Sequence, residues 1–487
     1  MSQLQADILN EIFRYLESDK FTLRSCMLVN RLWCKISMKF FWRNVYNYNI
    51  SNVNTLISCL SNESKEILYE SGINISNQTS KYEYAEFCKV LSMDRLHYMV
   101  NNLLETQQFT QLQSSSNNPK MLVMQELLKM FENQVSLDCL TVYYYDFTPK
   151  NWLKNLSELH CYSNLSSEFF YQLSQICHNI SLLDIRIGNY ISNGLAKLIS
   201  VQKNLKYFSM KQDDDNDIPS LITKLPNSLI KLNLYGSNCI PLSFISKFSN
   251  LQELELSYSY QEDFIGFEEL QHIFFPQLQI LKIRRAFPRD ELLKIFLENN
   301  GKNLKEFYLG DFGGFSDKSL NLAIARTCPN LKKLSIGFKP KPKPKPTSTP
   351  NFNPNSYELK TLKIVFDGCQ YLESIRIWYA EKALEAIAKY PHNIDEYELI
   401  LYYHSFKAQF ELLPKELESF FIDWKNRVPQ KSLSLIIVTC STRSLEKNDE
   451  NMKVIEKYRK LGIIKKFKVT DFNDDDLKLD LNYFQKN

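Results

Sequence analysis

The sequence predicts an α/β solenoid, with a curved parallel sheet inside and helices outside, preceded by a small all-α module. Three observations carry this prediction. A short figure recurs along the chain: an apolar residue, two polar ones, an apolar one, a polar one and an apolar one. Leu331-Lys332-Lys333-Leu334-Ser335-Ile336 is an example, with Leu334 and Ile336 on one face of a strand and Lys333 and Ser335 on the other. The best-spaced copies begin at Ile180, Leu205 and Leu229, and at Leu251, Leu278, Leu304 and Leu331, 24 to 27 residues apart. Helix-like pieces lie between copies: Phe169, Phe170, Leu173 and Ile176; Leu195, Leu198 and Ile199; Leu292, Leu293, Ile295 and Phe296; Leu384, Ile387 and Ala388. One strand and one helix cannot bury their own apolar faces in so few residues, but stacked copies can.

Composition agrees. A chain of 487 residues exceeds one ordinary core, a limit a solenoid escapes because each coil packs only on its neighbours. Hydrophobic residues are 44% and charged residues 23%, which excludes broad disorder. A net charge of +4 gives no argument for nucleic acid. No apolar run approaches the ~20 residues of a membrane helix, and Met1 is followed by polar Ser2, Gln3 and Gln5, which is unlike a signal peptide. No membrane partner is expected, and the sequons at Asn74, Asn155 and Asn164 read as products of an Asn-rich composition. The 11 cysteines are scattered, with no Cys-x-x-Cys and no Cys/His cluster at metal spacing. Reduced thiols in the cytoplasm or nucleus fit this pattern, and no metal or cofactor is expected.

Taken in order, residues 1–46 form the helical module. Leu4, Ile8, Ile12 and Leu16 fall four apart, flanked by Leu9 and Phe13, giving an apolar stripe opposite Glu11, Arg14 and Glu17. Ser18-Asp19-Lys20 ends that helix. A second runs from about Lys20 to Leu28, and a third carries Val29, Leu32, Trp33, Ile36 and Phe40. So small a core leaves apolar surface uncovered, so a partner is expected. The residues Leu4-x-x-Asp7-Ile8-Leu9-x-x-Ile12-Phe13-x-x-Leu16, then Leu23-x-x-Cys26-x-Leu28-Val29-Asn30-Arg31-x-Trp33-Cys34, then Phe41-Trp42-Arg43-Asn44, closely resemble an F-box. Gln5 departs from the family, which usually has Pro there. The resemblance implies docking on the Skp adaptor of an SCF ubiquitin ligase, and through it on a cullin. It would place Leu4, Ile8, Leu9, Ile12, Leu28, Val29 and Trp33 in that interface. The other reading of the module is a cap whose apolar side covers the first repeat. Trp33 and Trp42 are also open to a structural role.

Residues 47–135 read as a helical connector. Helices are expected over Asn54 to Tyr69, over Tyr82 to Leu104 as one or two pieces, and from Pro119 to about Asn133.

Residues 136–487 hold the repeats, with strand figures beginning at Leu137, Leu156, Ile180, Leu205, Leu229, Leu251, Leu278, Leu304 and Leu331. Less regular copies are Leu372-Ile375-Ile377, Ile394-Tyr397-Leu399, Leu417-Phe420-Ile422, Leu433-Ile436-Val438 and Ile464-Phe467-Val469. The intervals match the leucine-rich repeat, and Cys177-His178-Asn179-Ile180 and Cys328-Pro329-Asn330-Leu331 resemble its cysteine-containing type. Leu359-Leu362-Ile364 lies too close before Leu372 for another coil, so Glu358 to Phe366 is expected to be a helix. The coil before it is lengthened by an insertion near 339–356, whose Lys339 to Pro346 alternates Lys and Pro. That alternation excludes helix and sheet and predicts a solvated polyproline stretch. Asp213 to Asp215 and Asp474 to Asp476 read as surface turns.

The positions between the inward residues should line the concave face. They include Lys231, Asn233, Glu253, Glu255, Lys282, Arg284 and Lys333, and, as the best target-binding candidates, Tyr308, Arg376, Trp378 and Phe421. No G-x-S-x-G, P-loop, H-E-x-x-H or Gly-rich phosphate loop occurs, and the six histidines stand apart in sequence. A non-catalytic protein is expected. It is either a substrate receptor of an SCF-type ubiquitin ligase, holding an unknown protein on the repeats, or a ligase-independent scaffold in which the F-box remnant is only a cap.

Overall fold

In a computed structural model of the chain, the described residues are 6–73, 82–106, 118–134, 136–212, 219–236, 241–310, 315–316, 318–338, 356–378, 384, 387–388, 396–403, 413–427, 431–439 and 444–471. They fall in two compact units, Met1–Ser228 and Leu229–Asn487.

The first unit begins with three helices, α1 (Ala6–Tyr15), α2 (Lys20–Cys26) and α3 (Arg31–Phe41). Asp19 and Asn30 start α2 and α3 by accepting, at 3.0 Å each, from the backbone N–H of Thr22 and Trp33. Such caps satisfy donors that a helix's first turn leaves orphaned. Leu9 and Phe13, one turn apart on α1, pack with Leu23, Cys26 and Ile36 in a core of their own. The stretch Asn54 to Tyr69, expected as one helix, is two: α4 (Ile50–Ser58) and α5 (Asn62–Glu70), the second restarted by the Ser61 cap. After the short strand β1 (Val90–Ser92) come α6 (Met93–Thr106) and α7 (Pro119–Gln134).

Strands β2 (Cys139–Val142), β3 (Glu158–Tyr162), β4 (Leu182–Ile187) and β5 (Tyr207–Gln212) follow, with α8 (Ser167–Ile176) and α9 (Asn193–Val201) between them. Strands β1 to β5 pair in chain order and all in parallel. The sheet thus starts at Val90, inside the stretch expected to be helical connector. A three-residue strand is too short for the repeat figure to show.

The second unit contains β6 (Lys231–Gly236), β7 (Glu253–Tyr258), β8 (Ile280–Arg285), β9 (Glu306–Leu309), the two-residue β10 (Phe315–Ser316), β11 (Lys333–Phe338), β12 (Ser374–Trp378), β13 (Glu396–Tyr403), β14 (Ser432–Thr439) and β15 (Ile464–Asp471). Apart from β10, which pairs beside β11, these also follow one another in parallel. Register puts one apolar row in line, from Leu232 through Leu254, Leu281, Phe307, Leu334, Ile375 and Leu399 to Leu435. Each of these side chains is at most 2% exposed.

Backbone hydrogen bonds repeat as regularly as the side chains. A tight turn enters five of the strands, β7, β8, β9, β11 and β12, in which the N–H of Leu251, Leu278, Leu304, Leu331 or Leu372 donates to the carbonyl three residues earlier, on Phe248, Phe275, Gly301, Cys328 or Cys369. One residue further on, N–H groups donate from coil to coil: Gln279 to Gln252, Lys305 to Gln279, Lys332 to Lys305 and Glu373 to Lys332, at 2.7–2.9 Å. These successive coils therefore close one another's backbone polar groups.

Between strands lie α10 (Asp290–Asn300), α11 (Lys318–Thr327) and α12 (Ser356–Gly368). The last bears out the helix expected over Glu358 to Phe366. Two expectations are corrected. Leu417-Phe420-Ile422 is no strand but part of the helix Pro414–Lys425, opened by a proline. In β14 the inward side chains are Leu433, Leu435 and Ile437, each 0% exposed, so the figure Leu433-Ile436-Val438 was one residue out of phase after its first member. The Lys-Pro stretch and both Asp runs lie outside the described residues.

Candidate functional site

Three arrangements of side chains could carry function. The first is the surface of the N-terminal module. With Leu9 and Phe13 turned inward, Ile8 and Ile12 lie outward and are 48% and 42% exposed. Leu28 and Val29 sit in the turn after α2, which Leu28 and Val29 N–H close onto the Ser25 and Cys26 carbonyls. Both are exposed, and so is Phe21. Of the expected adaptor contacts, Leu9 must be corrected, since at 0% exposure it is core. Trp33 is half-buried, with its ring edge-to-face on Phe13 at 5.4 Å. Leu4 lies outside the described residues.

The module's C-terminal end meets the sheet. Trp42 is buried and stacks on Tyr84 at 4.6 Å. The Arg43 carbonyl accepts from the N–H of Lys89 and Val90, and Asn44 bridges to Val90. Residues 42–48 thus close the first strand while Ile8, Ile12, Phe21, Leu28 and Val29 stay uncovered.

The second arrangement is the polar row along the strands of the second unit. Lys231 pairs with Glu253 at 3.0 Å, and Lys282 reaches Glu253 at 3.3 Å. Arg284 donates to Glu255 at 2.6 Å, and both side chains are buried. Tyr308 lies between two guanidiniums, Arg284 at 4.7 Å and Arg376 at 5.2 Å from its ring centre. Ser335 is opposite both Tyr308 and Arg376 in register, so a small residue lets the two long side chains meet across an intervening strand. Sequence expectation named Tyr308 and Arg376, and the structure brings them together, although each is under 10% exposed. Trp378 lies on β12 opposite Gly337. Phe421 is corrected: it is 0% exposed on the helix Pro414–Lys425, stacked on Tyr458 at 4.8 Å.

The third arrangement was not foreseen. Cys139 on β2 is opposite Glu158 on β3, and His160 stands two residues along on the same face. One ligand atom from each lies within 4.8 Å of the others. His160 Nδ1 is 3.2 Å from Asp184 Oδ2, on the strand opposite. Burial pushes the Cys139 thiol up to about 12, helped by the charge of Glu158 and a hydrogen bond to it. Burial also acts on Asp184, but hydrogen bonds from His160 and Ser209 and the charge of Arg186 outweigh it and hold that carboxyl below its ordinary 3.8. A thiol this basic is not an activated nucleophile.

Parallel strands in chain order, with helices between them and aligned apolar rows, define a leucine-rich-repeat solenoid. No protein-family model matches this chain, and no curated protein is detectably similar to it. Among solved structures it is similar to an internalin (inlF) from Listeria monocytogenes, with 15% identity over 51% of this chain and 70% of that one and a TM-score of 0.29. An internalin C2 from the same organism has 16% identity over 38% and 74%, with a TM-score of 0.23. The mouse RP105/MD-1 complex has 14% identity over 68% and 76%, with a TM-score of 0.25. No described helix is long and apolar enough to cross a membrane.

Proposed function

We propose that this chain is the non-catalytic substrate-recognition subunit of an SCF-type ubiquitin ligase, acting in the cytoplasm or nucleus. The N-terminal module docks the Skp adaptor, and through it a cullin. The polar face of the repeats holds a target protein. The chain makes no bond itself. It raises the local concentration of target lysines near the ligase-bound ubiquitin donor.

The observation that carries this reading is the exposure of Ile8, Ile12, Leu28 and Val29 on a module that already closes the sheet edge through residues 42–48. A cap alone would turn these apolar side chains toward the repeats. Left in water, they favour a partner.

Coexpression with a Skp adaptor is expected to give a stoichiometric complex. The double variant Ile8→Asp, Ile12→Asp should lose it while the chain keeps its melting temperature. A complex that survives the double variant overturns the docking surface. A soluble, folded wild-type chain that never binds the adaptor leaves a ligase-independent scaffold.

A further inference from the structure

Cys139, Glu158 and His160 come together only when the coils stack. They are contributed by two neighbouring strands, and they converge on one point of the polar face. We propose that they form a binding site for a divalent transition-metal ion of the Zn2+ type, which ties β2 to β3.

The donor set is a sulfur, a nitrogen and a carboxylate oxygen, the mixture that selects Zn2+ over Mg2+ or Ca2+. Ligand atoms on a tetrahedral zinc stand about 3.3–3.6 Å apart, given bonds of about 2.0–2.3 Å. Atoms already within 4.8 Å reach that spacing by side-chain rotation. The supporting residue is also present. Asp184, from the next strand, takes up His160 Nδ1 and leaves Nε2 as the nitrogen for the metal. A carboxylate behind a ligating histidine fixes its tautomer and ring plane. Binding the ion displaces the Cys139 thiol proton to solvent, so that the thiolate and the Glu158 carboxylate both become ligands. Three protein ligands leave a fourth position for water or for a group from a partner on the open face.

The adaptor plays no part in this site, so its test is independent of the ligase reading. The full-length chain, stripped with chelator, is titrated with Co2+ and then with Zn2+. One equivalent of Co2+ should give tetrahedral bands in the visible and a thiolate-to-cobalt band in the near ultraviolet, which Zn2+ bleaches. Cys139→Ser should abolish the thiolate band, whereas Cys59→Ser should leave it unchanged. His160→Asn should abolish stoichiometric binding. Asp184→Asn should weaken binding by about 10–100-fold. Zn2+ should raise the melting temperature of wild type but not of His160→Asn, which also serves if Cys139→Ser fails to fold. No stoichiometric Co2+ uptake by wild type, or a thiolate band that persists in Cys139→Ser, overturns the proposal.

Discussion

At the scale of single residues, neighbours in sequence have opposite fates. Ile8 and Leu9 are adjacent on α1, yet one is 48% exposed and the other 0%. Leu9→Ala leaves a cavity among Phe13, Leu23 and Ile36, and should cost about 2–5 kcal/mol. Leu28→Ala, at 86% exposure, should stay within about 0.5 kcal/mol. Denaturant unfolding of the full chain, followed by far-ultraviolet circular dichroism, distinguishes them. A Leu9→Ala effect no larger than that of Leu28→Ala would mean that Leu9 does not face this core. An apolar stripe wider than the core it serves is legible in sequence. Which edge of the stripe faces in is not, because that depends on where α3 lies. Cys139, Glu158 and His160 were legible in another way. They stand two, two and four residues after Leu137 and Leu156, so reading down the coils aligns them where reading along the chain separates them.

At the scale of elements, the strand figure worked where apolar and polar residues alternate, as over Leu183 to Ile187 in β4 or Leu281 to Arg284 in β8. It failed where they do not. In β14 the run Leu433 to Val438 is apolar at all but one position, so the pattern does not fix its phase, and only pairing with β13 does. Leu417, Phe420 and Ile422 satisfy the figure too, since apolar residues three apart also suit a helix, and Pro414 decided the matter. The helices show how tightly coils stack. A Cβ on Gly194 of α9 would come 2.3 Å from the Ser167 carbonyl oxygen of α8. Gly194→Ala should therefore destabilise by about 1–3 kcal/mol, despite alanine's better helix propensity. A rise in melting temperature would show that α8 and α9 stand further apart than described.

At the scale of the whole molecule, regular coils and a separate helical module were both legible, because each rests on local periodicity. The start of the sheet was not, since β1 is held by its partners rather than by its own pattern. Cysteines illustrate the distributed core. Cys88, Cys328 and Cys369 come from different coils, and burial pushes each thiol up to about 12. At pH 7.5 iodoacetamide should leave them unmodified in the native chain and label them after denaturation, as read by mass spectrometry. Native labelling as fast as at half-buried Cys34 would show that the coils open readily.

The turn at Leu251, Leu278, Leu304 and Leu331 makes each coil begin and end in the same hydrogen-bonding state. A segment cut between two such leucines and spliced in again would present the same donors and acceptors to what precedes and follows it. Gene duplication could lengthen such an array by whole units without orphaning a single amide, which makes coil number a quantity that evolution is free to vary.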